Sequence, residues 1–360
     1  MYANRGWWIP AEDGGPEREY FWPYLNRELG IHLYYGGSQS ESQLERIREC
    51  GSALIFMDSS VKDLGFLKNF PDKTVNVFLI SDETYNSLLS TRLLLSKATK
   101  RLYRDYPIHP IRNILNLPKI VFNSFVKGYK NGVSLRLYFR AFAAGLILSA
   151  KQVCMYFATI LTRKSLGYLP LGYTGSYASK FEEIYELTSE ISLIDFSINN
   201  CMTLQKGKSN SVFFSGQRGN FDRQLMLAEA RKLKLNLGPI HQKFGGPDEP
   251  DSRQTAVNQY FYGLQSNCYS LCPPGNYSPE TFRYIESLLL WAYPLLPKRV
   301  LSNPLYQASM EDSWKSFKSA VRQSNETSHY EFEVITKMLA LTNQQIKQVL
   351  AEVGIIEANF

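Results

Sequence analysis

Three features of the 360-residue sequence predict an α/β fold with parallel sheets. Short apolar runs at 30–35, 52–57 and 75–80 alternate with stretches of helical character. Each run ends at turn-forming or polar residues, as strands at the edge of a sheet do. The same alternation resumes after Leu166. Strands separated by helices favour βαβ units, in which the strands of a sheet run parallel.

The composition is that of a folded globular protein and not of a disordered one. Hydrophobic residues make up 44% of the chain and charged residues 20%. The five cysteines are odd in number and scattered, and no nearby histidine completes a zinc site, so we expect reduced thiols. The N-terminal residues lack the apolar core of a signal peptide, which predicts a cytoplasmic location.

The positive charge is concentrated in one segment. Residues 97–164 contain thirteen Lys or Arg and one acid, Asp105, and so carry a net charge of +12 against +7 for the whole chain. A basic character confined to one segment argues against a general nucleic-acid-binding protein. It points instead to a local anionic partner such as a membrane surface.

Three interpretations of this segment stay open at the level of sequence. Residues 141–161 are apolar over nearly the length of a membrane span, but Lys151 lies at the centre, where a charge costs about 2.5–3.5 kcal/mol. The alternatives are a helical hairpin on an anionic membrane surface and a buried helix with solvated basic neighbours. A true span is the third, although it would place two α/β halves on opposite sides of a bilayer.

The loop 215–220 lies between a predicted strand at 211–214 and a predicted helix at 221–233, and it has the features of an anion-binding site. Gly216 and Gly219 frame Arg218, and glycine lets the backbone approach an anion closely. The helix N-terminus offers free amide groups, and Arg218 and Arg223 add guanidinium groups that match phosphate oxygens. The alternative interpretation is an ordinary turn with surface arginines.

The segment CPPGNYSPETFRYIE after the predicted strand 268–272 is a stronger anion site. Ser278 is a suitable N-cap, and Arg283 and Glu286 share a sector of the helix that follows and runs to about residue 290. A diphosphate fits the helix amides and Arg283, and the Glu286 carboxylate suits two ribose hydroxyls. An internal Arg–Glu pair is the alternative. The expected ligand-binding residues here are Gly275, Asn276, Ser278, Glu280, Thr281, Arg283 and Glu286.

These segments carry a family resemblance. CYSLCPPGNYSPETFRYIESLLLWAYPLLP resembles the C-terminal signature of exostosin-type glycosyltransferases, and FFSGQRGNFDRQ is similar to their preceding strand and basic loop. The resemblance covers about residues 210–300. It implies the GT-B architecture, in which two Rossmann-like domains face each other across a cleft and the second domain binds the donor. The sequence departs from the family at Trp291-Ala292-Tyr293, where relatives have a small turn that contains glycine.

The resemblance and the sequence pattern together predict four segments. Residues 1–96 form an acceptor domain, 97–165 a basic helical insertion, 166–340 a nucleotide-sugar domain and 341–360 a C-terminal helix. The resemblance further implies donor-diphosphate contacts from Gly216, Arg218, Arg223 and Arg283, and a ribose contact from Glu286.

The expected activity is transfer of a sugar from a UDP- or GDP-linked donor to a glycan or lipid-linked acceptor. The resemblance to GT-B enzymes implies that arginines and helix amides stabilise the departing diphosphate, so no metal or cofactor is expected. An inverting transfer also needs a base, for which Asp58, Asp82, Glu83 and the acidic loop 12–15 are candidates. Two other classes stay open, a non-catalytic nucleotide- or sugar-binding protein on the same scaffold and a membrane-surface scaffold. The expected location is cytoplasmic, with peripheral contact to a membrane through 97–165.

Overall fold

The computed structural model shows an α/β protein whose sheets are parallel, which confirms the α/β part of the predicted fold class, and the GT-B arrangement stays a prediction. The description below concerns residues 5–9, 27–28, 32–35, 53–58, 61, 64–80, 87–104, 117–168, 172–217, 221–235, 237, 240–241, 250–273, 282–297, 313–323 and 330–353.

The chain divides into two compact units. The first contains Met1–His109, Leu146–Leu171 and Asn343–Phe360, and the second contains Pro110–Gly145 and Gly172–Thr342. Both units are assembled from segments that are distant in sequence, so the chain passes between them more than once.

A six-stranded parallel sheet forms the centre of the first unit. Its strand order is β2-β1-β3-β4-β5-β6, so the order reverses between β1 and β3 as in doubly wound sheets. The strands are β1 (Arg5–Ile9), β2 (His32–Tyr35), β3 (Ala53–Asp58), β4 (Val75–Ile80), β5 (Thr99–Arg104) and β6 (Leu166–Tyr168), with a 3-10 helix at Gly65–Asn69 and helix α1 at Ser87–Leu95.

Both faces of the central strands are buried, as parallel sheets require. On one face Ile55, Val77 and Leu102 contribute to a hydrophobic core that also includes Met155 and Ala158. These last two residues belong to the long helix that precedes β6, so this helix covers that face of the sheet. Branched and apolar side chains on consecutive strands therefore explain why 53–58 and 75–80 are recognisable in the sequence.

An aromatic row crosses the opposite face of the sheet. Phe56 stacks on Phe78 with ring centroids 4.6 Å apart, and Phe78 stacks on Tyr103 at the same distance. The row ends at Gly167, which is paired with Tyr103 in the register of β5 and β6. A Cβ at Gly167 would overlap the Tyr103 ring, so glycine is what allows β6 to pair with β5 at this position.

The second unit is built on a three-stranded parallel sheet with the order β11-β10-β7. Val212, Tyr269 and Leu295 bring one residue of each strand into a common core, where Trp314 and Met226 pack against them. The strands are β7 (Ser209–Phe213), β10 (Asn267–Leu271) and β11 (Tyr293–Leu295), and a separate parallel pair is formed by β8 (Gly216–Gln217) and β9 (Ile240–His241).

Helices make up most of the remaining described chain, and two of them run from one unit into the other. The helices after α1 are α2 (Leu117–Lys130), α3 (Leu135–Thr162), α4 (Gly175–Tyr185), α5 (Leu193–Asn199), α6 (Cys201–Gln205), α7 (Phe221–Lys232), α8 (Pro250–Ser266), α9 (Phe282–Leu289), α10 (Ser313–Gln323) and α11 (Tyr330–Glu352). The two shared helices are α3 and α11.

The basic segment 97–165 is not helical throughout. Its first residues form β5, in which Leu102 and Tyr103 are buried in the first unit, and its middle contains α2 and α3. The structure therefore draws the division of the chain differently from the predicted boundaries at 96 and 165. A second difference concerns the predicted strand 234–240: of its described residues, 234, 235, 237 and 240, only Ile240 pairs as a strand, and Lys234 takes a left-handed conformation with φ of 56° just after helix α7.

Among the described residues, no helix combines the length and the apolar character that a membrane span requires. The apolar segment 141–161 lies within α3, where Met155 and Ala158 are buried in the first core. Other apolar residues of the same helix are exposed, among them Ile147 at 60% and Leu161 at 77%. The helix is therefore buried on one side only.

We predict that Gly167→Ala destabilises the first unit by about 1–3 kcal/mol, the usual cost of forcing extra atoms into a packed site. The new methyl group has to displace the Tyr103 ring, which is stacked on Phe78 and cannot move freely. Urea unfolding followed by fluorescence measures the change. In a Tyr103→Leu background the same Gly167→Ala change should cost clearly less, since the ring it meets is gone. Equal costs in the two backgrounds would contradict this account.

Candidate functional site

The candidate site lies at the carboxyl edge of the three-stranded sheet in the second unit. Strand β7 ends here at Phe213 and β10 ends at Leu271, and α9 follows β10. Because parallel strands bring their carboxyl ends to one edge, the two motifs found in the sequence meet at this edge. The two loops themselves, at 218–220 and 274–281, lie outside the described residues.

Arg283 connects the two motifs directly. Its Nε and Nη2 atoms donate hydrogen bonds to the backbone carbonyl of Ser215, at 3.3 and 3.1 Å. The guanidinium also lies over the Phe214 ring, 5.3 Å from its centroid. A half-buried guanidinium is thus held against the end of β7 by one carbonyl and one aromatic face.

Gly216 provides the space for this guanidinium. Its φ is +150°, a conformation that side chains disfavour, and a Cβ placed there would overlap Nη2 of Arg283. The glycine of the first motif and the arginine of the second therefore require each other. The sequence predicted both residues as diphosphate ligands, and the structure places them in contact.

The side-chain carboxyl group of Glu286 is buried against the N-terminus of α4. Only 3% of its surface is exposed, and its Oε1 accepts hydrogen bonds from the backbone N–H and the hydroxyl of Thr174, at 3.0 and 2.8 Å. Thr174 is the N-cap of α4, and its hydroxyl oxygen also accepts the N–H of Tyr177 at 3.4 Å. The positive end of α4 thus faces the carboxylate.

Burial dominates the electrostatics of this group. Desolvation raises the pKa of Glu286 above its usual 4.5, and the two hydrogen bonds from Thr174, the Tyr260 hydroxyl and the charge of Arg283 only partly oppose it. Arg283 and Glu286 feel each other's charge but form no ion pair within the described residues, since the guanidinium is bonded to Ser215. Among the described residues the two side chains therefore bond to Ser215 and Thr174 and not directly to each other.

Two tyrosines complete the surroundings of Glu286. The Tyr177 hydroxyl donates to the backbone carbonyl of Glu286 at 2.7 Å. The Tyr260 hydroxyl is buried near the carboxylate and has no hydrogen bond of good geometry among the described residues. Desolvation, reinforced by the negative charge of Glu286, raises the pKa of both phenols well above their usual value. Both phenols therefore stay protonated; the proton of Tyr177 is already donated to the Glu286 carbonyl, and that of Tyr260 is available to the carboxyl group.

Cys272 at the end of β10 is an unreactive thiol. It is fully buried, and its Sγ lies 3.7 and 3.6 Å from the hydroxyls of Ser270 and Ser287. Desolvation raises the pKa of this thiol to about 11, which keeps it protonated. The described cysteines are all free, in agreement with the predicted reduced thiols.

The turn where the sequence departs from the exostosin pattern has a clear structure. Trp291 N–H bonds to the carbonyl of Leu288 and Ala292 N–H to that of Ser287, which is the hydrogen-bond pattern of a Schellman cap at the end of α9. Trp291 occupies the left-handed position with φ of 56°, where glycine is usual. Its indole is buried and donates to the carbonyl of Ser197 at 2.9 Å, so packing against α5 offsets the backbone strain.

The remaining predicted residues fall into two groups. Arg223 is described, and it is buried in the first turn of α7. Asp58 is the last residue of β3, next to the point where the strand order of the first sheet reverses. The others lie outside the described residues, and these are Asp82, Glu83, Arg218, Gly275, Asn276, Ser278, Glu280 and Thr281.

Sequence reasoning missed two members of the site, Thr174 and Tyr260. A threonine before a helical stretch is an N-cap signal, so the capping role of Thr174 was recognisable, but its bond to a carboxylate 112 residues away was not. Tyr260 lies within a predicted helix and carries no local signal. Among the described residues no three His, Cys, Asp or Glu side chains cluster as metal ligands, and metal independence stays a prediction.

We predict that the stability of the parent chain falls as pH rises through the interval between the usual carboxyl pKa and the raised pKa of Glu286. In that interval the folded state keeps a proton that the unfolded state has released, so raising the pH favours unfolding. Glu286→Gln retains an acceptor for Thr174 and has no proton to lose, so its stability should depend less on pH there. Urea unfolding between pH 4.5 and 8 measures the slopes.

The control is Glu190→Gln, which removes an exposed carboxyl group and should keep the parent's slope. Equal slopes for the parent and Glu286→Gln would show that Glu286 titrates as an ordinary carboxyl group.

Comparison of the chain with protein-family models, with curated proteins and with solved structures finds no match in any of the three. The function proposed below therefore rests on the sequence motifs and on the geometry of this site.

Proposed function

We propose that the chain is a glycosyltransferase that binds a UDP- or GDP-linked sugar at the carboxyl edge of the three-stranded sheet and transfers the sugar to a glycan or lipid-linked acceptor. The observation that carries the proposal is the contact between Arg283 and the Ser215–Gly216 backbone. It brings together the two segments in which the exostosin resemblance was found. The proposed architecture is GT-B, with the acceptor bound by the first unit.

The site supplies two kinds of groups that such a donor needs. Arg283 is held at a sheet edge, and within the described part of the chain its guanidinium hydrogen bonds are those that Nε and Nη2 donate to Ser215, so Nη1 can bond an anion. The carboxyl group of Glu286 lies one helical turn further along α9, and the hydroxyl of Tyr260, on α8, is buried beside it. An anion-binding group beside groups that bond hydroxyls matches a diphosphate joined to a ribose.

The proposed chemistry follows from the charge that develops during transfer. The bond from the anomeric carbon to the diphosphate breaks with an oxocarbenium-like transition state, and negative charge collects on the leaving diphosphate. Arg283 and the amides at the start of α9 would stabilise that charge. A carboxylate of the first unit would accept the proton of the acceptor hydroxyl, and Asp58 is the candidate within the described residues.

We predict that Arg283→Ala weakens binding of UDP or GDP about tenfold to hundredfold, since a hydrogen bond to a charged group contributes about 1.5–3 kcal/mol. Calorimetric titration of the purified chain measures the affinity. Arg283→Lys keeps the positive charge but loses the forked geometry of the guanidinium, so its affinity should lie between those of the parent and of Arg283→Ala. The matched control is Arg231→Ala, which removes an exposed arginine at the far end of α7 and should bind as the parent does.

Unchanged affinity of Arg283→Ala would remove the donor-site assignment. A thermal-shift screen against sugar nucleotides then identifies the donor, because a ligand that binds only the folded state raises the melting temperature. Release of free nucleotide in the presence of acceptor glycans separates an enzyme from the alternative, a non-catalytic nucleotide- or sugar-binding protein. That alternative predicts binding with no release by any donor.

A further inference from the structure

Helix α2 and the first part of α3, up to Gly145, expose apolar side chains on one face of each helix. Phe122 and Tyr129 lie seven residues apart on α2 and are 65% and 73% exposed. Leu135 and Phe139 lie four apart on α3 and are 48% and 60% exposed. Residues at these spacings share a helix face. We call these two segments the basic helix pair.

Cations occupy the neighbouring face of each helix. Lys127 and Lys130 are exposed on α2, and Arg136 and Arg140 are exposed on α3. No acidic residue occurs in the sequence from 106 to 181, so no carboxylate of this segment neutralises them. The basic helix pair therefore combines an exposed apolar stripe with an adjoining positive stripe on both helices.

The opposite side of the pair is anchored within the second unit. Phe125 contacts the buried Tyr138 edge-on at 5.2 Å, and Tyr138 contacts Phe221 of α7 at 5.6 Å. Gly128 lets the Phe221 ring approach so closely that a Cβ would lie 2.7 Å from it, and Lys232 Nζ donates to the carbonyl of Lys130 at 2.8 Å. The exposed stripes are thus carried on helices whose other faces are fixed by packing.

We propose that the basic helix pair binds the surface of an anionic lipid bilayer. Apolar faces of surface-bound helices enter the boundary between headgroups and acyl chains, and aromatic residues favour that depth. Lys and Arg lay their aliphatic stems along the apolar layer and keep their charges among anionic headgroups. The residue types, their exposure and their relative faces all fit this partner.

Charge and side-chain type favour a bilayer over the other occupants. A second copy of the chain would bring two positive faces together, which is unfavourable. Single-stranded nucleic acid requires aromatic rings on which bases stack, but the basic helix pair also exposes the aliphatic Leu135. This side chain matches acyl chains and offers no stacking surface. The proposal does not depend on the donor site, so it can fail while the proposed function stands.

The test is co-sedimentation of the full chain with vesicles at low salt. Vesicles of phosphatidylcholine with a quarter phosphatidylserine should bind the parent, and vesicles of phosphatidylcholine alone should bind it far more weakly. Replacing Lys127, Lys130, Arg136 and Arg140 by Gln should weaken binding at least about a hundredfold, because each cation near an anionic surface contributes about 1 kcal/mol. The triple change Phe122→Ser, Tyr129→Ser and Phe139→Ser should also weaken binding clearly.

Matched controls remove equal numbers of exposed side chains elsewhere. The charge control replaces Lys97, Lys206, Lys337 and Lys347 by Gln, and the apolar control replaces Leu88, Leu95 and Met202 by Ser. Both should bind like the parent. A variant that exchanges Lys for Arg and Arg for Lys at the four positions of the basic helix pair should also bind, which separates loss of charge from loss of folding.

Four results would overturn the proposal. The parent fails to sediment with the anionic vesicles, or it binds zwitterionic vesicles equally well. The charge control loses as much binding as the Gln variant, which would assign the effect to the overall charge of the protein. The last result is that the parent does not bind vesicles but forms a dimer or binds a single-stranded oligonucleotide. In that case the triple change at Phe122, Tyr129 and Phe139 abolishes the dimer, seen by sedimentation velocity, or the oligonucleotide binding.

Discussion

The second unit depends on how it accommodates one buried carboxyl group, that of Glu286. An ionised carboxylate removed from water is costly unless donors replace its hydration. Here the N-terminus of α4 supplies two of them through Thr174, and the Tyr177 hydroxyl satisfies the backbone carbonyl of the same glutamate. These bonds join α9 to α4 across more than a hundred residues of sequence. The raised pKa of Glu286 shows that the donors offset the cost of burial only in part. A ligand whose hydroxyls donate to this carboxylate would therefore be bound by a group that still lacks full compensation.

The position of Arg283 follows from the same helix. With Glu286 fixed by α4, the guanidinium one turn earlier reaches the end of β7, where Ser215 accepts its hydrogens and Gly216 leaves it room. Two carbonyl-directed bonds and the Phe214 face hold the group without neutralising it. A guanidinium that is held in place but keeps its charge loses little entropy when an anion binds. If a phosphate binds as we propose, this guanidinium is already in place before the ligand arrives.

Strands were predictable from the sequence where a continuous apolar run shows that they are buried. They were not predictable where burial depends on contacts with distant segments of the chain. The apolar runs that became β3, β4 and β10 are buried on both faces, so they read as strands without any knowledge of their neighbours. Strand β5 did not, because Lys100 and Arg101 give it a polar appearance and its burial comes from Leu102 and Tyr103, which pack on residues of other strands and of α3. Arg283 and Gly216 were each identifiable from local chemistry. Their contact, and the roles of Thr174 and Tyr260, depend on helices packed from elsewhere in the chain.

The two proposals are linked physically through α7. This helix begins at Phe221, directly after the loop 218–220 of the first anion motif, and Phe221 is also the residue against which Gly128 and Tyr138 of the basic helix pair are packed. Any force that holds the pair at a bilayer is therefore transmitted to the start of α7 by a ring contact and not by a flexible linker. The start of α7, which follows the proposed donor motif in sequence, would then stand at a fixed height above the lipid headgroups. A transferase that acts on a lipid-linked acceptor needs this arrangement, because the acceptor hydroxyl is confined to a thin layer above the membrane and the enzyme gains by holding its donor in the same layer.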